Sequence, residues 1–274
     1  MPLDGHRKPA ACQRMAAGSD EIERACEVSP GCELEPEIEI EPACEVGPGY
    51  EALPVSEVGP DVSTGEAGLV VDLALLKKGF SPTPEGQLLL DGYLDAYTEM
   101  NKFFQIMGPL FQVVSTDVQS KVRLLREYCS GEAVVHYHTL HSMIDYETKH
   151  NLLTSKAKPS GARTLLRLHR ALEFVTEFLV VLVDPTEEGS FGRKVSELYG
   201  RTLAKYHGLL IRKTFSGILL LIPKRQTIIN RLANGNSEAE KEAMAEMPRV
   251  IQTMKDAYNF TQKLYQDNDL LDLP

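Results

Sequence analysis

Residues 174–183 read Phe-Val-Thr-Glu-Phe-Leu-Val-Val-Leu-Val, with two polar positions in ten. A helix this apolar around its circumference cannot lie on a surface and has to be covered on several sides. Residues 215–222, Phe-Ser-Gly-Ile-Leu-Leu-Leu-Ile, make the same demand. Both runs are too short to span a bilayer, which takes about 20 residues. Two arrangements meet the demand: the centre of a thick helical bundle, or helices that also line an apolar ligand cavity.

The chain of 274 residues divides sharply near residue 66. Residues 1–66 carry 15 acidic and 4 basic side chains, and they hold 8 of the 16 prolines. Their net charge is −11, while the remainder comes to +1. So charged and proline-rich a segment buries little apolar surface, and disorder is expected for it. A weak repeat, Ala25-Cys26-Glu27-Val28 and Ala43-Cys44-Glu45-Val46, runs through it. Residues 67–274 form the expected folded domain. Apolar residues recur there at helical spacing, as in Leu90, Tyr93, Leu94, Tyr97 and Phe104. Turn formers such as Gly108-Pro109, Asp184-Pro185 and Asn234-Gly235 punctuate the pattern. No segment alternates like a strand. The body is therefore expected to be all-α, with about eight helices. Helices are expected over 88–107, 110–128, 134–153 and 162–183. The region after 236 divides into two, 238–247 and 250–265.

A nearly neutral body lacks the basic face that nucleic acid requires. Four of the five cysteines lie in the acidic segment and no C-x-x-C pair occurs. That pattern, with no apolar run of signal-peptide length at the start, predicts a reducing, cytoplasmic setting. Phosphate-binding loops, dinucleotide fingerprints, zinc-protease motifs and nucleophile elbows are missing from the sequence, and no cofactor is expected. His136, His138 and His141 tempt a metal assignment. His136 and His138 would point apart on a helix, so no metal site is expected.

Three charged groups invite a ligand. Arg163 and Arg167 are four apart and share a helix face, with Arg170 near the same stripe. Two guanidiniums one turn apart repel unless an anion sits between them, and the planar fork of arginine suits phosphate oxygens. Alternatively, both reach solvent or pair with carboxylates. Asp117 and Lys121 are also four apart, and read either as a surface ion pair or as two arms of one site. His207 precedes Gly208 and the run Leu209, Leu210, Ile211, Arg212, Lys213. That run, apolar then basic, suits contact with an anionic membrane surface.

Taken together these pieces resemble the glycolipid transfer protein family, and within it the ceramide-1-phosphate transfer branch. The quoted signals are Asp117-Val-x-Ser-Lys121, Arg163-Thr-x-Leu-Arg167-Leu-His-Arg-Ala-Leu172, Tyr206-His207, Leu221-Ile-Pro-x-Arg225 and the ending from Gln262 to Pro274. The resemblance covers the body from about residue 69 onward. It implies a two-layer helical sandwich enclosing an apolar lipid pocket, and transfer of a sphingolipid between membranes without chemistry. It implies that Asp117 takes the sphingoid amide N–H, that Lys121, Arg163 and Arg167 hold the phosphate, and that His207 meets the acyl-amide carbonyl. In the sugar-binding branch a Trp stacks on the sugar at the place of Arg167. This chain has no Trp, which favours ceramide-1-phosphate over glycolipid. The membrane-contact Trp that often follows the histidine is replaced by Gly208 and Leu209. A monomer is expected, transiently at membrane surfaces. The alternatives are a lipid-sensing adaptor of the same fold that binds without efficient transfer, and a glycolipid carrier.

Overall fold

The computed structural model describes residues 69–156, 158–185 and 191–274. The expected disordered tail, 1–66, and its cysteine repeat lie outside them. Among the described residues the regular structure is helical, apart from one isolated antiparallel bridge between Leu89 and Thr139. The helices are α1 (Leu73–Phe80), α2 (Leu90–Ile106), α3 (Gln112–Cys129), α4 (Leu140–Lys149), α5 (Gly161–Val183), α6 (Phe191–Arg201), α7 (Leu209–Leu220), α8 (Arg225–Leu232) and α9 (Ser237–Asp267). Short 3-10 turns, Pro109–Phe111, Val134–His136 and Ala204–Tyr206, link some of them.

α5 is the hub, packing against α3, α4, α6 and α9. Its apolar run is covered on several sides, as its composition demands. Phe178 meets Phe103 of α2 at 5.5 Å and Phe191 of α6 at 5.6 Å between ring centroids. Phe174, Val175, Leu179 and Leu182 are buried beside it. Two tyrosine hydroxyls tie neighbouring helices to the α5 backbone. Tyr97 of α2 donates to Leu168 O at 2.7 Å, and Tyr265 of α9 donates to Ala162 O at 2.6 Å. Each gives a buried polar atom a partner inside the core, which burial without one would penalise.

Both ends of α5 are closed by side chains from other helices. At its start the Glu147 carboxylate of α4 accepts the Gly161 and Ala162 N–H groups at 2.6 and 2.9 Å. At its end Arg225 Nε of α8 donates to Leu182 O at 2.7 Å. An anion at the N-terminus and a cation at the C-terminus both oppose the helix dipole.

Several boundaries depart from the sequence expectation. α1 ends one residue past Gly79, which lies in its last turn. A Cβ there would run into the Gly92 carbonyl oxygen and come within 2.8 Å of Ala96 Cβ, so the glycine permits close contact of α1 with α2. The helix expected over 134–153 shrinks to α4, because Leu90 N–H and Leu140 N–H bond across to His138 O and Leu88 O. Residues 238–265 form one helix rather than two, and Pro248 lies inside it. A proline removes one intrahelical bond, but buried Met247, Val250, Ile251 and Met254 hold both flanks on the core.

Candidate functional site

Asp117 and Lys121 lie on successive turns of α3 and form an ion pair. The Lys121 side chain is mostly covered, at 14% exposure, while that of Asp117 stands out at 61%. Ser115, two residues before Asp117, is buried against Asn101 of α2 at 3.0 Å, which anchors this stretch of α3.

Across from α3, α5 presents its arginine stripe. Arg163 Nε donates to the Pro274 main-chain oxygen at 3.3 Å. Arg170 Nη2 donates to Leu271 O at 2.8 Å and Leu273 O at 3.3 Å, and its guanidinium lies 4.2 Å from the Tyr206 ring centroid. Among the described residues Arg167, half-buried between them, makes no side-chain hydrogen bond or ion pair. Burial is the main cause that lowers the Arg170 pKa, and the neighbouring Arg167 charge adds to it. The stripe therefore carries positive charge answered by main-chain oxygens of residues 271–274 and, at Arg170, by the nearby Asp272 charge. The segment after α9 that supplies them is pinned by buried Leu270, whose N–H bonds to Tyr265 O at 2.9 Å.

His207 follows the Ala204–Tyr206 turn, and its Nδ1 lies 2.9 Å from the Tyr199 hydroxyl. Phe215 and Tyr199 flank the ring, at 5.4 and 5.8 Å between centroids. Burial lowers the His207 pKa; the Lys121 charge lowers it further and the Asp117 charge opposes both. His207, from the loop before α7, thus shares one electrostatic environment with the α3 pair. Arg163, Arg167 and Arg170 follow one another along the facing helix, and Tyr206, the neighbour of His207, reaches Arg170.

α7 is covered on one side only. Leu209 and Leu210 are 65% and 79% exposed, Arg212 and Lys213 are exposed, and Ile211 is half-buried. At the other end of α7 further apolar residues stand out, Leu220 and Leu221, 83% and 63% exposed. No helix among the described residues is long and apolar enough to cross a membrane, and His136, His138 and His141 join no group able to hold a metal there. His136 instead stacks on Tyr146 at 4.2 Å. A separate cleft of about 470 Å³ between α5, α6 and α9 contains none of the expected site residues. Its charges answer one another, with Glu177 facing Arg201 at 3.9 Å and Lys255 at 3.4 Å.

Sequence reasoning missed Tyr199, which orients His207, and Glu147, which holds the start of α5. Arg170 was placed near the stripe without its carbonyl partners. A buried glutamate 16 residues before Arg163 carries no local signal, because its acceptor role appears only after folding.

A family model described as "Glycolipid transfer protein (GLTP)" matches residues 88–234. The ceramide-1-phosphate transfer protein of Rattus norvegicus is 34% identical over 198 residues, covering 70% of this chain and 90% of that protein. Its Homo sapiens counterpart is 31% identical, covering 69% and 88%. Among solved structures, the apo form of mouse ceramide-1-phosphate transfer protein superposes with a TM-score of 0.68 at 30% identity, covering 74% of this chain and 99% of that one. The human protein in complex with 12:0 ceramide-1-phosphate gives 0.66 at 29% identity, covering 74% and 97%. A family match over more than half of the chain, with relatives of this identity and coverage, places it: the chain belongs to the glycolipid transfer protein family.

Proposed function

We propose that this protein carries a ceramide-1-phosphate-like sphingolipid between membranes, with the phosphate on Lys121, Arg163 and Arg167. The observation that carries the reading is Arg167, a half-buried guanidinium with no side-chain partner among the described residues, between two arginines whose hydrogen bonds go to main-chain oxygens. A phosphate would neutralise this stripe and gain charge-assisted hydrogen bonds stronger than those to carbonyls. Lys121 would exchange part of its ion pair with Asp117 for the phosphate, freeing that carboxylate to accept an amide N–H. The raised pKa of Tyr199, caused chiefly by burial, keeps its phenol protonated. Tyr199 O–H can therefore donate to Nδ1 of His207, leaving Nε2–H to donate to an amide carbonyl. The relatives named for ceramide-1-phosphate support this cargo.

The lipid chains would enter the apolar interior between the helices, where each buried CH2 contributes about 0.8 kcal/mol. Leu209, Leu210, Ile211, Arg212 and Lys213 would meet the anionic bilayer. No chemistry on the lipid is required. In a vesicle-to-vesicle assay, Arg163→Leu is expected to abolish ceramide-1-phosphate transfer with the helical circular-dichroism signal unchanged. Transfer at the wild-type rate would overturn the assignment.

A further inference from the structure

We infer that Glu147, remote in sequence from the headgroup residues, is a positioning residue for Arg163 and thereby a determinant of phosphate selection. The inference rests on the phosphate-binding reading above. Glu147 is 1% exposed. One carboxylate oxygen accepts Gly161 N–H at 2.6 Å and Tyr137 O–H at 2.9 Å, and the other accepts Ala162 N–H at 2.9 Å. Ser160 Oγ accepts the next amide, that of Arg163, at 3.0 Å. The first three N–H groups of α5 are thus all occupied.

Two consequences follow. A helix start with free N–H groups is a ready anion site, but this one is filled by the protein's own carboxylate. At α5 an incoming phosphate is left with side chains alone. Arg163 also sits in the first turn, where its Cα–Cβ direction depends on how that turn is held. Arg167 and Arg170 lie one and nearly two turns further in, among buried Leu165, Leu166, Leu168 and Leu172. Core packing fixes those turns, so the influence of Glu147 should fall chiefly on Arg163.

The surroundings are shaped to this clamp. A Cβ on Gly161 would come within 2.8 Å of Met143 Sδ and 3.0 Å of Glu147 Oε1, so the glycine is what admits the carboxylate. Tyr137, the third donor, stacks on Tyr128 of α3 at 4.8 Å with an interplanar angle of 7°. Tyr128 O–H in turn donates to Pro159 O at 2.8 Å, just before α5. The carboxylate therefore joins the start of α5 to the end of α3, the helix that carries Asp117 and Lys121.

The test is a double-mutant cycle on the full chain between Glu147→Gln and Arg163→Lys. Equilibrium binding is measured to vesicles containing ceramide-1-phosphate and to matched vesicles containing ceramide. Gln keeps the shape but turns an amide N–H toward a backbone N–H. If Glu147 acts through Arg163, the substitution weakens ceramide-1-phosphate binding about tenfold in the wild-type background and hardly at all beside Arg163→Lys. Ceramide binding stays within about twofold. Equal losses in both backgrounds, or equal losses for both lipids, would show a purely structural role and overturn the inference. Should Glu147→Gln fail to fold, Gly161→Ala, which displaces the carboxylate without removing it, takes its place in the cycle. Failure of the parent reading is seen separately, as a wild-type protein that does not prefer ceramide-1-phosphate to ceramide.

Discussion

Two histidines show how burial divides otherwise similar residues. His207 keeps one ring nitrogen bonded to Tyr199 and shares its surroundings with Asp117 and Lys121. His169 is 1% exposed, stacked on Tyr258 at 4.4 Å and bonded through Nε2 to Gln262 at 2.8 Å, while its Nδ1 has no partner among the described residues. Burial depresses its pKa from 6.5 to about 4; the Gln262 bond opposes that and the Arg170 charge assists it. The unfolded chain therefore binds a proton at His169 more readily than the folded one between those values. Stability from this residue is complete above pH about 6.5 and is lost as the pH falls toward 4, by an amount on the order of 3 kcal/mol. Denaturant titrations of wild type and His169→Gln across this window should show the wild-type dependence and a flatter variant. The paired spacing of Asp117/Lys121 and of Arg163/Arg167 made these residues readable from sequence, since helical geometry alone puts i and i+4 together. Glu147 was unreadable for the opposite reason. Its partners come from a turn and another helix, and an isolated glutamate normally signals a solvated surface.

Among the elements, α7 combines a covered side, through buried Ile218 and Leu219, with leucines exposed at both ends. It carries Arg212 and Lys213 and no acidic residue. Burial of a leucine side chain in an apolar environment contributes about 1.5–3 kcal/mol. Leu210→Glu is accordingly expected to lower partition onto anionic vesicles by about tenfold or more. Binding of a short-chain ceramide-1-phosphate in solution should persist, and co-sedimentation beside solution titration would read both. Helix existence in this chain was legible wherever the apolar period ran long, as in α2 and α5. Helix ends were less so. Pro248 carries a local preference that core contacts on both flanks override, and the pattern over 134–153 is cut short by backbone bonds to Leu88 and Leu90.

At the scale of the whole molecule, charge is distributed unevenly along the chain. The body, at +1, has almost no net repulsion from an anionic bilayer, whereas residues 1–66 bring −11. Removing that segment should speed association with anionic vesicles at low ionic strength. The difference should shrink toward physiological salt, where the Debye length falls to about 8 Å. Stopped-flow mixing at several salt concentrations would show whether the two rates converge. The composition break near residue 66 was plain in the sequence, as was the all-helical character of the body.

The closed start of α5 bears on how such a carrier could change cargo. Because the backbone amides there are committed to Glu147 and Ser160, the start of α5 would offer the proposed headgroup no free main-chain donor. On the proposed reading, selectivity along α5 would reside in a few replaceable side chains mounted on a scaffold that does not have to be rebuilt around them. A lineage with this architecture can exchange one recognised lipid for another by point substitution, with the frame left intact while the vocabulary of the site is rewritten.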